Sequence, residues 1–298
     1  MCRDIDLARS VFPVEMRADP EKLALCKGDV TDPTSLSAAI DGVSAVISVH
    51  GTFHATPLYK LLIPIFWRTH APLNCEDVTH PYYTNYVAMQ DIVSLCEKYD
   101  VKKVVRLTGL SCAMPPYHPV SVLFNALLSF SGRYHRMGEE VLRSSDKVGN
   151  FILRPGGLSD AVRDPEKTKL QVDFSGALPP PGRIGRADVA DLAVAAVTDP
   201  RLAGEGASSD LVAGVRWVGE VAPKTQGDIG DGGSTAEEAL SMALAQKKVA
   251  PPSVANGKAF ALFHGIYVYS FFAILGKLAF FAGSKILPRV MGLLRRFV

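Results

Sequence analysis

The sequence predicts an α/β protein built on a doubly wound, parallel sheet. Three observations carry this: short β-branched apolar runs with no polar alternation, helical patterns lying between them, and run ends that close in small or polar residues. Runs that are apolar throughout suit strands buried on both faces, and strand alternating with helix gives parallel pairing through crossovers.

In chain order, 23–30 (LALCKGDV) reads as the first strand. A helix over 34–40 follows, opened by Asp32-Pro33, an acid that can cap and a proline suited to a first turn. Residues 45–49 (AVISV) form the next strand. Apolar residues at 3.6 spacing predict a helix over 85–99, then a strand over 103–108 (KVVRLT), a long amphipathic helix over 120–145 and a strand over 151–153 (FIL). A further helix over 187–197 (ADVADLAVAAV) carries Asp188 near its start and stops before Asp199-Pro200. The connection from 52 to 84 is long for a strand-to-helix loop and holds an apolar stretch, 58–67 (LYKLLIPIFW), broken by Pro64. Its length fits a hydrophobic flap or a substrate lid at the carboxyl edge of the sheet, with the lid slightly favoured.

With 298 residues, 48% hydrophobic and 21% charged, the chain can bury one sizeable core and still carry an appendage. Charge divides it. After Glu238 there is no Asp or Glu but eight Lys or Arg, while the first 238 residues hold 24 basic against 30 acidic residues, a net −6. The folded part thus offers nucleic-acid phosphates no basic surface, and nucleic acid is not an expected partner. Cys2, Cys26, Cys75, Cys96 and Cys112 show no CxxC spacing and no histidine cluster, so metal binding is not expected and the thiols read as reduced, in a reducing compartment. The first ten residues are charged and no apolar run of signal-peptide type follows.

Three units are expected: residues 1–220 as the folded domain, 221–257 as a flexible linker rich in Gly, Pro, Ser and Ala with a short helical patch at 237–246, and 258–298 as a hydrophobic, basic tail. Within the tail, 259–276 runs between Lys258 and Lys277 with His264 as its one ionisable group. At 1.5 Å per residue it spans roughly 27 Å, barely enough to cross a bilayer, so a transmembrane helix, a re-entrant or interfacial helix and a hairpin stay open. Lys277, Lys285, Arg289, Arg295 and Arg296 would favour anionic headgroups, and membrane lipid is the expected partner of this tail.

Chemistry is expected at the strand ends. Gly28-Asp29-Val30 leads into a turn where a carboxylate can accept an adenine amino group and the next amide can donate to the ring; His50-Gly51 and Thr108-Gly109 close the next two strands. Small or polar residues on one edge of a parallel sheet are what a nucleotide crevice needs.

With these residues in place, the chain resembles the NmrA-like NAD(P)-binding proteins, an atypical branch of the short-chain dehydrogenase/reductase superfamily, over roughly residues 3–214. KGDVTDP matches that family's third strand and adenine turn, and AAIDGVSAVI the next helix and strand. NYVAMQDIVSLCEKYDVKKVVRLTGLS matches the central helix and fifth strand, GEEVLRSSDKVGNFILRPGGL the active-site helix and sixth strand, and GRIGRADVADLAVAAVTDP the segment that helps close the pocket. The resemblance implies a Rossmann-like fold and NADP or NAD as cofactor. It also implies cofactor contacts from Asp29, Val30, His50, Gly51, Thr108, Gly109, Arg154, Pro155 and Gly156, and activity as an oxidoreductase; the apolar 58–67 stretch and the tail point to a hydrophobic substrate near a membrane.

Two departures matter. The family's opening strand, its GxxGxxG turn and first helix would precede Arg3, so a preceding strand–turn–helix of about forty residues is expected. The superfamily's Tyr-x-x-x-Lys pair, whose ammonium lowers the tyrosine pKa for proton transfer, is absent. Aligned on Glu139-Glu140, Ser131 stands at the tyrosine position and His135 at the lysine position, while Tyr134 has Gly138 four residues on. Thr108, Tyr134 and His135 are therefore weak catalytic candidates. A histidine on the helix surface beside Arg133 and Arg136 is the plainer reading of His135, and a catalytically inactive NAD(P)-binding scaffold or redox sensor is the alternative function. Arg3 hints at a 2′-phosphate contact. Gly109-Leu110-Ser111-Cys112-Ala113 imitates a nucleophile elbow, but Met114-Pro115-Pro116 follows where a helix should. In 227–234 (GDIGDGGS), Gly233 sits where a phosphate-binding loop needs lysine.

Overall fold

The computed structural model describes residues 1–19, 21–52, 54–57, 77–115, 118–178, 182–203, 210–221, 224–226, 230, 232–246 and 248, and beyond these only 265–266, 269–270, 272–277, 280 and 283–284. The chain opens with short helices α1 (Ile5–Val11) and α2 (Val14–Arg17) and then α3 (Pro33–Ile40), which Asp32 caps by accepting from the Thr34 and Ser35 amides at 3.0 and 3.2 Å. Strand β1 (Ala45–Ser48) follows. After the long connection, a π-helical turn over Tyr82–Val87 runs into α4 (Ala88–Lys98), then β2 (Lys103–Leu107) and a 3₁₀ turn at Leu110–Ala113. Helices α5 (Pro119–Leu127) and α6 (Ser131–Arg143) precede β3 (Gly149–Pro155), β4 (Gly157–Ser159), β5 (Thr168–Asp173) and β6 (Arg183–Gly185). The chain then forms α7 (Arg186–Thr198), α8 (Pro200–Ala203), β7 (Asp210–Val221), β8 (Lys224–Gln226) and α9 (Ala236–Ala245).

The main sheet has the order β1-β2-β3-β7-β5, with β8 also on β7. The first three pairings are parallel, with Ser48 beside Arg106, Leu107 beside Leu153 and Pro155 beside Val215. Strands β5 and β8 join β7 antiparallel, and β4 and β6 make a separate parallel pair. Alternate side chains of β2 and β3 serve opposite faces: Val105, Phe151 and Leu153 pack with Leu192, Ala196 and Leu240 from α7 and α9, whereas Val104 and Ile152 pack with Leu36, Ile92 and Leu142 from α3, α4 and α6. Helices on both sheet faces are the doubly wound arrangement.

Three expectations change in structure. The first predicted strand is reduced to a single parallel bridge, Cys2 to Lys27, and among the described residues β1 is the outer strand of the main sheet. The long helix over 120–145 is broken between α5 and α6. There Ser129 and Phe130 adopt left-handed φ of 49° and 60°, Thr56 takes the Ser129 amide at 2.8 Å, and Asn125 accepts from the Arg133 amide at 2.9 Å to start α6. The break lets the Phe130 ring join Tyr134, Tyr82 and Tyr86 in a cluster that periodicity does not reveal. Part of the expected linker is folded: β8 pairs with β7, and α9 buries Ala236, Ala239, Leu240 and Ala243 against the core. The apolar stretch 58–67 lies outside the described residues, as does most of 259–276; among the described residues no helix is long and apolar enough to cross a membrane.

Charged side chains fix the helices to the sheet. Arg154 pairs with fully buried Glu139, which also accepts from Thr108 Oγ1 at 2.5 Å, and Arg143 grips Asp210 at the start of β7 through contacts of 2.8–3.0 Å. Asp188 is buried and accepts from Trp217 Nε1 at 2.8 Å and Arg163 Nε at 3.0 Å, so it anchors α7 to β7. Helix packing is close at Gly138, where a Cβ would lie 2.3 Å from the Asn85 carbonyl oxygen. Gly138→Ala must therefore part α6 from the π-helical turn, and the strain outweighs alanine's helix preference of about 1 kcal/mol. The urea midpoint should fall with an unchanged slope, by an amount equivalent to about 1–3 kcal/mol.

Candidate functional site

Because β1, β2 and β3 run parallel, their carboxyl ends lie along one edge, where cavities lined by described residues open. The first, of about 340 Å³, is lined by Arg3, Asp29, Val30, His50, Gly51 and Thr84 among others. The second, of about 260 Å³, is lined by Thr108, Gly109, Cys112, Phe124, Ser131 and His135 among others.

Asp29 is set by the turn that starts α3: its Oδ1 accepts from the Thr31 amide at 2.9 Å and hydroxyl at 2.8 Å, while Oδ2 lies 3.9 Å from Arg3 Nε. The Val30 amide has no acceptor among the described residues. Gly51 is held by Asn85, whose carboxamide accepts from the Thr52 amide at 3.0 Å and donates to the Thr52 carbonyl at 2.9 Å. A Cβ at Gly51 would sit 2.9 Å from the His135 ring, so the backbone there must be bare. Gly51 lines the first cavity and His135 the second, so this contact is where their walls touch.

Under it lies Arg106, with no exposed surface. Its Nη1 donates to Ser48 Oγ at 2.9 Å and the His50 carbonyl at 2.6 Å, and its Nη2 reaches His135 Nδ1 at 3.3 Å. Nε of Arg106 is buried with no hydrogen-bond partner among the described residues, and the buried His50 ring lies within reach of the Thr84 backbone. Burial and the neighbouring guanidinium hold both histidines neutral, His50 pushed down to about 2 and His135 to about 3. Burial also lowers Arg106, to about 10, so it keeps its charge at neutral pH.

Of the nine residues expected at the cofactor, Asp29, Val30, His50 and Gly51 line the first cavity, and Thr108 and Gly109 the second. Arg154, Pro155 and Gly156 line neither. Arg154 is spent on Glu139, the Pro155 carbonyl backs Gly109, and Gly156 packs against Gly182, where a Cβ would fall 2.4 Å from the carbonyl oxygen. The catalytic candidates separate as well. Tyr134 is 2% exposed in the aromatic cluster, its phenol pushed up to about 12 by burial. His135 is not a surface histidine: it faces the cavity, and Arg133 and Arg136 beside it are buried. Thr108 gives its proton to Glu139. Ser131, at the tyrosine position, donates to the Thr52 carbonyl at 2.8 Å and accepts from Asn85 at 3.1 Å. Arg106 and Asn85 were not picked out from the sequence, although an arginine inside the run KVVRLT is a signal in itself, since a buried strand rarely carries an unpaired charge.

Residues 7–200, well over half of the chain, match the family described as NAD(P)H-binding. The chain belongs to that family. Its cofactor is NADP or NAD, in keeping with the short-chain dehydrogenase/reductase resemblance of its motifs. No curated protein matches it. Among solved structures it is similar to a short-chain dehydrogenase/reductase from Veillonella parvula in complex with NADP, at 17% identity and TM-score 0.48 over 78% of this chain and 83% of that one. It is also similar to the anaerobilin reductase ChuY from Escherichia coli O157:H7, at 18% identity and TM-score 0.48 over 76% and 85%. A protein from Bacillus halodurans provisionally described as an NAD-dependent epimerase/dehydratase gives 16% identity and TM-score 0.50 over 81% and 86%, a likeness of fold. The cradle fits such a cofactor: a carboxylate at the Asp29 turn, a Val30 amide with no acceptor among the described residues, and a glycine at position 51 that leaves no room for a side chain.

The two neutral histidines predict a pH dependence. Their folded pKa values lie below the ordinary 6.5, so below that pH the unfolded chain takes up protons that the fold refuses. The contribution of each is present above pH 6.5 and is lost as pH falls toward 3, at up to about 1.4 kcal/mol per pH unit for each histidine. In urea titrations between pH 7.5 and 4.5, the midpoint should drop on the acid side, and His135→Gln should flatten that drop.

Proposed function

We propose that this chain is an NAD(P)(H)-dependent oxidoreductase acting on an apolar small molecule close to a membrane surface. The observation that supports it most is the contact between Gly51 and His135, which sets the two cavities side by side, one lined by the nucleotide-type turn and the other by α5 and α6. In this reading Asp29 and Val30 receive the adenine, His50 and Gly51 pass the ribose and phosphates, and the nicotinamide end reaches toward Thr108 and Gly109, where the cofactor supplies or accepts hydride. Phe124 and Leu128 give the second cavity apolar wall, and Val120, Leu123, Phe124 and Leu127 expose one apolar stripe on the outside of α5. The acid-free, basic sequence after Glu238 favours an anionic lipid surface as the place of action.

A second reading, a catalytically silent NAD(P)-binding scaffold or redox sensor, is favoured by the Ser131 hydroxyl. Where the superfamily places its proton donor, this chain has a group already engaged with Thr52 and Asn85. His135 beside it is neutral and Cys112 is a thiol, pushed up to about 11 by burial, so among the described residues no lined-up acid stands over the second cavity. Binding and turnover should accordingly separate. Titration by dihydronicotinamide fluorescence should show binding, while generic carbonyl substrates turn over at least about 10²-fold below a site with a working general acid. Fast turnover that survives both Tyr134→Phe and His135→Gln would show a proton route elsewhere.

Membrane association has its own test. Screening at about 1 M salt shortens charge interactions to about 3 Å but leaves buried apolar area unweakened. The intact chain should stay in the membrane pellet through salt and alkaline carbonate washes, whereas a chain ending at Ser253 should appear in the supernatant. Recovery of the intact chain in the soluble fraction before any wash would overturn the membrane reading.

A further inference from the structure

Arg106 is a cation placed where every hydrogen-bonding partner is neutral. It is fully buried, its Nη groups are held by Ser48, the His50 carbonyl and His135, and its Nε has no partner among the described residues. Glu139 acts on it through space, but that carboxylate is claimed by Arg154 and Thr108. The guanidinium touches one residue of each cavity, His50 in the first and His135 in the second. A buried charge without a partnered counter-ion raises the potential of whatever is bound beside it, because little water intervenes to screen it.

We propose that Arg106 makes this site selective for the reduced form of its cofactor, by disfavouring the positively charged nicotinamidium ring and sparing the neutral dihydronicotinamide. The inference rests on the cofactor orientation proposed above. Adenine, ribose and phosphates are identical in the two forms, so their attraction to Arg106 cancels in the ratio of the two dissociation constants. What remains is the single positive charge that distinguishes the oxidised ring. Arg106 therefore acts as an electrostatic positioning residue and requires no contact with the reacting atoms. A preference for the reduced form makes the bound couple a stronger oxidant by about 30 mV for each tenfold in the ratio.

The test is a set of equilibrium titrations of the full chain at pH 7.5 with NADPH, NADP⁺, NADH and NAD⁺, and with ADP-ribose as a probe without nicotinamide. The wild-type chain should bind the reduced form of its preferred cofactor at least tenfold more tightly than the oxidised form. Arg106→Gln, which removes the charge and keeps donors, should bring that ratio within about threefold of unity, while ADP-ribose affinity moves equally for both forms or not at all. Arg106→Lys, which keeps the charge, should retain the preference. Loss of hydrogen bonds alone would weaken both forms together and leave the ratio intact. If wild type binds both forms equally, or Arg106→Gln keeps the wild-type ratio, the inference falls even where Arg106→Lys fails to fold. If no dinucleotide and no ADP-ribose binds, the cofactor site itself falls.

Discussion

The carboxamide of Asn85, which has no exposed surface, is where three segments of the chain meet. It closes a two-way pair with the backbone of Thr52, donates to Ser131 at the start of α6, and its own backbone carbonyl is the floor against which Gly138 packs. The loop that carries His50 and Gly51 is also tied by Arg106 to the His50 carbonyl and by Ser131 to the Thr52 carbonyl, so its placement over β2 rests on Asn85 together with these two side chains. Each hydrogen bond contributes about 1 kcal/mol net, but a truncated Asn85 would leave the Thr52 amide unmet, at about 1–3 kcal/mol, while the Thr52 carbonyl and the Ser131 hydroxyl keep the bond they make with each other. The π-helical turn gives the carboxamide its reach. Its wider winding projects Asn85 toward Thr52 while the next residues continue as regular α4, and such bulges gather at functional sites.

Two kinds of buried charge lie on either side of this node. Glu139 and Arg154 neutralise one another between α6 and β3, and the pair earns its place by fixing α6 in register, since removing one partner would strand the other at a cost of about 3–5 kcal/mol. Arg106 is not neutralised in that way. Two histidines within its field respond by staying unprotonated, which lets His135 Nδ1 accept from the guanidinium and leaves its Nε2 to carry the proton. The outcome is a crevice with a cation on its floor and two neutral histidines beside it.

Much of this was legible in the sequence where the signal is local. The runs 45–49, 103–108 and 151–153 became β1, β2 and β3 because a strand covered on both faces must be apolar throughout, and Asp32-Pro33 starts α3 because the pair satisfies the first-turn amides. The cavity edge followed from the topology, so Asp29, His50, Gly51, Thr108 and Gly109 could be placed along it without knowing any distance. What escaped is tertiary. Nothing in 120–145 marks the break at Ser129 and Phe130, which Thr56 imposes from a distant loop, and nothing in the Gly-rich stretch before α9 shows that Gly233 pairs with Leu170. Arg154 reads as a strand-end ligand by position, but its true partner, Glu139, is on a helix fifteen residues earlier.

The missing Tyr-x-x-x-Lys pair also looks different once packing is included. In the frame that makes Tyr134 the tyrosine, lysine would fall at residue 138, where even a methyl group meets the Asn85 carbonyl at 2.3 Å. In the frame that makes Ser131 the tyrosine, lysine would fall at residue 135, 3.3 Å from a guanidinium that is already buried. A second ammonium there would face Arg106 in a medium that screens poorly, so the lysine would lose its proton and with it the reason for its presence. A tyrosine at 131 would also have to give up the short bonds to Thr52 and Asn85 that position the loop. The usual proton relay and the Arg106 floor therefore exclude one another sterically and electrostatically. Neither single substitution restores the relay, because the same contacts that hold the crevice open occupy the places where its residues would stand.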